Sequence, residues 1–307
     1  MKSILVTGGA GFIGSNLTLE LQNQFPGAWI TVIDDFRSAS FKNLEGFKGD
    51  VLAKDMARLD WEQQFDSTMW DAVFHLASIT DTTEHDQRLQ VEDNVESFRN
   101  LLEFVRPYKT PVIYASSAAT YGITSGVNHV DDSQKPANVY AFTKVVLENL
   151  ARHYTSLESG WKIVGLRYFN VYGPREEHKG VPASMILHLA KQMMAGKRPR
   201  IFEFGEQKRD FVYVKDIVSY TIGALQAKET TVYNAGSGQP RSFNDLVAIL
   251  NDVLSTNLEA EYIKNPYEHY QPHTEADMSK IELELGLKPA FSLEAGVKDY
   301  FESGLLV

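Results

Sequence analysis

The chain has 307 residues, 43% hydrophobic and 23% charged, which is ordinary soluble-globular usage and enough length to build one large domain or two closely joined ones without disulfide or metal staples. With 30 Lys and Arg against 40 Asp and Glu the formal charge is −10, which excludes a protein that works by neutralising nucleic-acid phosphates. The absence of cysteine excludes a thiolate nucleophile and any Cys-based metal centre, and with no run of 18 apolar residues and too short an apolar start for a signal peptide, a cytoplasmic protein with no membrane partner is expected.

The first element is a compact apolar run at 4–7, followed at once by Thr7-Gly8-Gly9-Ala10-Gly11-Phe12-Ile13-Gly14 and a helical pattern over 12–23. Glycines between a strand and a helix suit a dinucleotide. Gly8 permits the tight turn, Gly11 lets backbone approach a pyrophosphate, and Gly14 allows close helix–strand packing, so Gly8, Gly11, Phe12, Ile13 and Gly14 are expected at the cofactor. The next run, 29–33, ends in Asp34-Asp35, carboxylates that can accept hydrogen bonds from the adenosine ribose of NAD. Arg37 and Lys42 follow closely and can neutralise a ribose phosphate, and the expectation leans to NADP with NAD left open.

Further apolar runs at 72–76, 112–115 and 163–166 alternate with helical patterns at 91–105 and 139–157. They read as buried strands of a doubly wound parallel α/β sheet of the Rossmann type. The run at 112–115 leads into Ser116-Ser117, and active sites of open α/β sheets lie beyond the carboxyl ends of the strands. Tyr140 and Lys144, four apart on a helix, project from one face, and an ammonium together with a nicotinamide cation favours the phenolate. Ser117 is expected to hydrogen-bond the reacting oxygen, with Ser116 as the alternative.

After about residue 170, Gly173-Pro174, Gly180-Val181-Pro182 and Gly196-Lys197-Arg198-Pro199 break the chain into shorter pieces. Helices are expected at 183–194, 215–225, 243–254, 278–285 and 293–301, and strands at 211–214 and 231–234. The expected division is a dinucleotide-binding domain of 1–167 with about 211–236, and a smaller, discontinuous α/β substrate lobe of 168–210 and 237–307. His75, Trp61, Trp70 and Trp161 read as packing residues. The pairs His178/His188 and His269/His273 lack a supporting carboxylate pattern, and no metal is expected.

The glycine motif at 7–14, Asp50-Val51, His75-Leu76-Ala77, Ser116-Ser117, Tyr140 with Lys144, and Arg167-Tyr168-Phe169-Asn170-Val171-Tyr172-Gly173-Pro174 together resemble the extended short-chain dehydrogenases that act on nucleotide sugars, nearly end to end. The resemblance implies Tyr140, Lys144 and Ser117 as the catalytic set. It also implies that Asp50, Val51, Lys54, His75, Leu76, Ala77 and Asn94 lie at the cofactor and that the segment with Asn170 and Val171 meets both ligands.

Within that superfamily, Thr82-Thr83-Glu84, Ser116-Ser117-Ala118-Ala119-Thr120-Tyr121-Gly122, Arg175-Glu176-Glu177-His178-Lys179-Gly180 and Lys208-Arg209-Asp210-Phe211-Val212-Tyr213-Val214 are most similar to the heptose 6-epimerase branch. That likeness implies inversion of carbon 6 of an ADP-heptose by transient oxidation with bound NADP, in the supply of the heptose precursor of lipopolysaccharide. It implies Lys179 as a second acid/base that also touches the cofactor. Substrate contacts are implied at Thr82, Thr83, Ser117, Asn170, His188, Phe202, Glu203, Phe204, Gly205, Arg209 and Tyr270, and the assembly implied is a homo-oligomer, with a pentamer as one form. Two departures stand out: Val181-Pro182 occupies the place of a small polar residue, and Ser40 stands where the branch has a phosphate-binding lysine, leaving Arg37 or Lys42 as substitutes. The competing readings are another nucleotide-sugar 4-epimerase or reductase, and a non-catalytic dinucleotide-binding regulator. A dehydratase is disfavoured because Ala119-Thr120 occupies the place of its Asp-Glu pair.

Overall fold

In chain order the elements are β1 (Ser3–Thr7), α1 (Phe12–Gln24), β2 (Trp29–Asp34), β3 (Asp50–Ala53), α2 (Trp61–Phe65), β4 (Ala72–His75), α3 (Gln87–Val91), α4 (Ser97–Val105), β5 (Val112–Ser117), β6 (Val127–Asn128), α5 (Val139–Leu157) and β7 (Ile163–Tyr168). They continue with β8 (Asn170–Tyr172), α6 (Met185–Met194), β9 (Arg200–Phe202), β10 (Lys208–Tyr213), α7 (Val214–Gly223), β11 (Val232–Ala235), β12 (Pro240–Ser242), α8 (Phe243–Val253), β13 (Glu261–Ile263), β14 (Glu275–Ala276), α9 (Ser279–Leu285) and α10 (Leu293–Glu302). This computed structural model describes every residue except 67–68, 82–85, 266–270 and 307. The expectations for Thr82, Thr83 and Tyr270 therefore lie outside the described residues.

The first compact unit comprises Met1–Gly122, Ser133–Arg167 and Val218–Tyr233. Its seven-stranded sheet has the order β11-β7-β5-β4-β1-β2-β3, with parallel registers between β1 and β2, β1 and β4, β2 and β3, and β4 and β5. The strand order reverses between β1 and β4, the switch point at which open α/β sheets bind ligands. All four residues of β4 and all six of β7 are buried, which is why their sequences are continuous apolar runs rather than alternating ones. Helix α1 buries Gly14, Leu17, Thr18 and Leu21, a stripe at helical spacing laid on the sheet. Trp61, Trp70, Phe104, Tyr154 and Trp161 join one core cluster with Leu5, Val73 and Phe98.

Two departures from the sequence expectation bear on the site in this unit. Strand β3 was not foreseen, because Asp50-Val51-Leu52-Ala53 is short, mostly exposed and lies at the sheet edge. The stretch expected as one helix over 91–105 is α3, a π-helical turn at Glu92–Glu96, and α4. The wider turn buries three consecutive residues, Asp93, Asn94 and Val95, which a regular helix at 100° per residue spreads over most of its circumference.

The second unit comprises Ile123–Asp132, Tyr168–Ile217 and Asn234–Val307. Here β12, β10 and β8 form a three-stranded sheet, β13 pairs with β9, and β14 pairs with β6. These pairings move the expected boundaries. Residues 211–217 belong to the second unit because β10 pairs with β8 and β12 instead of joining the large sheet. Residues 123–132 belong to it because β6 pairs with β14. Asp210, fully buried, ties this unit together: its carboxylate accepts hydrogen bonds from the Ser237, Gly238 and Ala276 N–H groups at 2.6, 3.0 and 2.8 Å. Among the described residues no helix is long and apolar enough to cross a membrane.

Candidate active site

At the switch point, Gly8 has φ +67°, and a Cβ there would lie 2.6 Å from the Ala77 nitrogen. A Cβ on Gly14 would lie 1.9 Å from the Gly8 carbonyl oxygen, so both positions require glycine. Helix α1 starts at Gly11, an N-cap that offers no side-chain acceptor to the first turn. A glycine-lined backbone cradle at a helix N-terminus fits a dinucleotide pyrophosphate. Thr7 braces it from β1: its carbonyl accepts the Leu76 N–H at 3.0 Å, and its hydroxyl bonds the Ala77 N–H at 3.3 Å and His75 Nδ1 at 2.9 Å. His75 is buried and stacked on Phe98 at 4.9 Å, and burial pushes its pKa down to about 3, so it is a neutral brace of the cradle.

The end of β2 differs from expectation in several side chains. Asp34 is buried and accepts the Ala10 and Phe36 N–H groups, each at 2.9 Å, so its carboxylate locks the glycine loop to β2. Burial pushes that carboxyl up, against the pull of these backbone donors. Asp35 is the carboxylate left at the surface. Arg37, expected as a phosphate ligand, is committed to Asp35, Asp55 and Asp93. Asp50 accepts the Trp29 Nε1–H at 2.8 Å and pairs with Thr31 at the amino end of the sheet. That places Asp50 and Val51 away from the carboxyl-end crevice, a correction to the motif-based expectation. Lys54 follows β3 at the carboxyl end, its N–H donating to the Asp34 carbonyl at 3.2 Å, and its side chain and that of Lys42 are exposed. The Asn94 side chain is spent internally, accepting the Ile79 N–H at 2.7 Å and donating to the Ile79 carbonyl and the Thr143 hydroxyl, each at 3.1 Å. It holds the main chain after β4 rather than presenting its amide to a cofactor.

Helix α5 carries the proton-transfer candidates. Asn138 caps it by accepting the Ala141 N–H at 2.8 Å, which sets the register of Tyr140 and Lys144 one turn apart. Tyr140 lies within reach of the Ser117 hydroxyl at the end of β5, and Lys144 donates to the Ala115 carbonyl at 2.9 Å with its ammonium 5.6 Å from the Tyr140 ring centre. Burial raises the Tyr140 pKa, opposed by Ser117, and lowers Lys144 to about 7. The protein's own charges therefore do not deprotonate the tyrosine.

The choice between the two serines follows from geometry: Ser116 donates to Glu148 at 2.6 Å, on the buried side of β5. Glu148, one further turn along α5, also pairs with Arg167 at 2.8 and 2.9 Å, and Arg167 stacks on Tyr121 at 4.7 Å. Sequence reasoning missed this fully buried pair. The available signal was Glu148 repeating the four-residue spacing of Tyr140 and Lys144.

The second unit contains a cavity of about 370 Å³ whose lining includes Asn170, Val171, Phe202 and Arg209. Met185, Arg200, Gln207, Phe211 and Phe243, which the sequence did not single out, line it as well. The Asn170 amide is held by the Asp210 carbonyl at 3.2 Å and the Thr274 hydroxyl at 3.1 Å, and the Arg209 guanidinium lies 6.0 Å from the Phe243 ring centre. An aromatic, amide and guanidinium lining suits a nucleotide and its phosphates. Glu203 and Gly205 form a turn with φ +47° and +69°, and Phe204 is exposed on it. None of these three lines the cavity. His188 also falls outside the lining, its Nε2 lying 3.1 Å from the Val181 carbonyl.

Lys179 ends a short 3-10 turn, Glu177–Lys179. Burial pushes its ammonium down, with the Glu176 carboxylate opposing. Glu176, itself buried, closes the segment 173–184 by accepting the Gly173 N–H at 3.2 Å and the Ser184 N–H and hydroxyl at 2.6 and 2.7 Å.

Comparison with known proteins gives a consistent assignment. A family model described as "NAD dependent epimerase/dehydratase family" matches residues 4–236. An ADP-L-glycero-D-manno-heptose-6-epimerase of Alkalilimnicola ehrlichii is 38% identical, covering 98% of this chain and 97% of that protein. The crystal structure of the Helicobacter pylori ADP-L-glycero-D-manno-heptose-6-epimerase superposes with a TM-score of 0.92 at 43% identity, covering 98% of this chain and 96% of that one. A UDP-glucuronic acid 4-epimerase from Bacillus cereus, solved with UDP-glucuronic acid and NAD, gives a TM-score of 0.85 at 30% identity, covering 98% and 99% of the two chains.

Proposed function

The chain belongs to the NAD dependent epimerase/dehydratase family, and on that premise we propose that it converts ADP-D-glycero-D-manno-heptose to ADP-L-glycero-D-manno-heptose, inverting carbon 6 by transient oxidation. The observation that carries the chemistry is the placement of Tyr140 beside Ser117, with Lys144 one turn along the same helix and 5.6 Å from the Tyr140 ring centre. A nicotinamide dinucleotide held at the glycine cradle would supply a hydride acceptor and donor for carbon 6, and its positive charge would lower the cost of a phenolate. The Tyr140 oxygen takes the hydroxyl proton, Ser117 holds the reacting oxygen, and Lys144 stabilises the phenolate and is itself held by the Ala115 carbonyl. Inversion requires a proton for the alkoxide formed when hydride returns to the other face of the ketone. Lys179 is assigned that proton, because burial brings its ammonium toward a working range. Arg209 and the aromatic lining of its cavity are assigned to the nucleotide and diphosphate. The resemblance adds a homo-oligomer, which light scattering of the purified protein measures.

The test is to incubate the protein with a panel of nucleotide sugars without added reductant and to follow carbon 6 of the heptose by NMR. Accumulation of the epimer without net cofactor consumption is expected. Epimerisation at carbon 4 of another sugar, or stoichiometric consumption of the dinucleotide, would replace this reading by a 4-epimerase or a reductase. Binding of a dinucleotide with no turnover on any sugar would favour a regulator.

A further inference from the structure

We propose that the ion-pair rim at the carboxyl end of β2, centred on Asp35, selects NAD over NADP. This inference rests on the reading that the first unit binds a nicotinamide dinucleotide. Asp35 immediately follows β2, and its two oxygens accept the Arg37 N–H at 3.0 Å and Arg37 Nε at 2.5 Å. The same guanidinium reaches Asp55 at 3.2 Å and also pairs with Asp93. Arg58 closes the ring, pairing with Asp55 and with Asp93 at 3.0 Å.

Three carboxylates thus face two guanidiniums, and the rim keeps one negative charge. The π-helical turn is what brings Asp93 here, since it turns Asp93 and Asn94 inward together. A 2′-phosphate would bring close to two further negative charges against this rim. To bind it, Arg37 would have to release at least one carboxylate. If Arg37 released Asp93, only 7% exposed, that buried carboxylate would keep Arg58 alone. A 2′-hydroxyl asks for the opposite: it donates, and Asp35 is a carboxylate with free lone pairs at the strand end where the ribose of a Rossmann dinucleotide lies. Ser40, in the loop that follows, adds no cation. The basic side chains of this end outside the rim are Lys42 and Lys54, both exposed. Exposed lysines are screened by salt and give a phosphate less than a committed guanidinium would.

The experiment is a titration of nucleotide-stripped protein with NAD and with NADP, read as tryptophan fluorescence or heat, so that no turnover is required. NAD is expected to bind at least about tenfold more tightly. Asp35→Asn is expected to narrow that ratio by weakening NAD and relieving NADP, while the exposed site leaves the fold intact, as checked by circular dichroism. Asp93→Asn is the second arm, and it should narrow the ratio by freeing Arg37. Equal or tighter binding of NADP by the wild type overturns the proposal, most directly if Lys42→Ala with Lys54→Ala removes that binding. A ratio unmoved by both Asp35→Asn and Asp93→Asn also overturns it. If neither dinucleotide binds, the dinucleotide reading itself fails, and this proposal fails with it.

Discussion

In the first unit, eight consecutive residues, 7–14, carry a strand end, a left-handed turn and a helix start, and the cradle they form is closed by the segment 75–77 and by Asp34 at the end of β2. In the second, the cavity draws on 170–171, 182–185, 200–202, residues between 207 and 211, and Phe243, and its frame hangs on Asp210 and Glu176. The cradle is encoded locally because each glycine answers a steric demand made by its own neighbourhood. The cavity is encoded by strand pairing and buried carboxylates that bind backbone N–H groups far away in sequence, as Asp210 does at 237, 238 and 276. Local encoding predicts that chemistry and binding separate cleanly under mutation. Distributed encoding predicts that they fail together.

The sharpest way to break this contrast is Tyr140→Phe. Removing this one oxygen should cost about 10²–10⁴-fold in turnover, the usual scale for a general acid/base. Dinucleotide affinity should stay close to wild type, because the cradle is built without that side chain. Single-turnover kinetics beside a titration reads both quantities, and an unchanged rate would remove Tyr140 from the mechanism. The pH profile of the wild type adds a sign. Lys144 titrates at about 7 in the protein without cofactor, below its ordinary 10.5. Its positive charge is therefore lost as pH rises through neutrality, and dinucleotide-free protein should lose that cation within this range.

Next in size is Glu148→Ala. Here the first unit departs from local encoding, since Glu148 joins Ser116, Gln134 and Arg167 across α5, β5 and β7. Truncation leaves the Arg167 guanidinium buried without its carboxylate, which costs about 3–5 kcal/mol. Urea unfolding measures it, and a loss below about 1 kcal/mol would mean that water or Tyr121 replaces the carboxylate.

Arg209→Ala is the matching test in the second unit. Loss of one charged hydrogen-bond donor from the cavity should weaken nucleotide-sugar binding by about 1.5–3 kcal/mol while dinucleotide affinity holds. Calorimetry with each ligand separates the two. If both affinities fall together, the assignment of Arg209 to the sugar nucleotide is wrong.

These cases also explain what the sequence made legible. The five buried strands of the first unit and the helices at 12–23 and 139–157 are legible directly, because burial on both faces or along one stripe writes itself as uniform or 3.6-spaced apolar residues. Gly8 and Gly14 could be read for the same local reason. Strand β3 could not, because an exposed edge strand has no apolar run to show. Nor could the move of 211–217 into the second unit, since Phe211-Val212-Tyr213 is a buried strand whichever sheet accepts it. Among site residues, Asp34 and Asn94 are legible as polar positions, but a sequence does not say that the carboxylate also holds the Ala10 N–H or that the amide holds Ile79. The role of Arg37 turned on Asp55 and Asp93, which lie 18 and 56 residues away.

The smallest expected effect returns to the cradle and asks whether its bracing is as local as its glycines. His75 bonds Thr7 through Nδ1, and its buried Nε2 has no hydrogen-bond partner among the described residues. Burial is the main cause of its low pKa of about 3, with the nearby Lys144 charge adding to it. The folded value is depressed below the ordinary 6.5. Above pH 6.5 both folded and unfolded chains carry a neutral ring, and this group contributes fully. As pH falls from 6.5 toward 3 the unfolded chain takes up a proton that the folded chain refuses, so stability declines by up to about 1.4 kcal/mol per pH unit from this residue. Other groups titrate in the same window, so the informative quantity is the difference between wild type and His75→Gln, which cannot titrate. Unfolding free energies measured from pH 7 to pH 4.5 should fall more steeply for the wild type. Dinucleotide affinity should hold over the same range, because the folded ring stays neutral until about pH 3 and keeps its bond to Thr7. Parallel slopes for the two proteins would mean that the ring is hydrated or displaced at little cost, and that the cradle depends on its glycines alone.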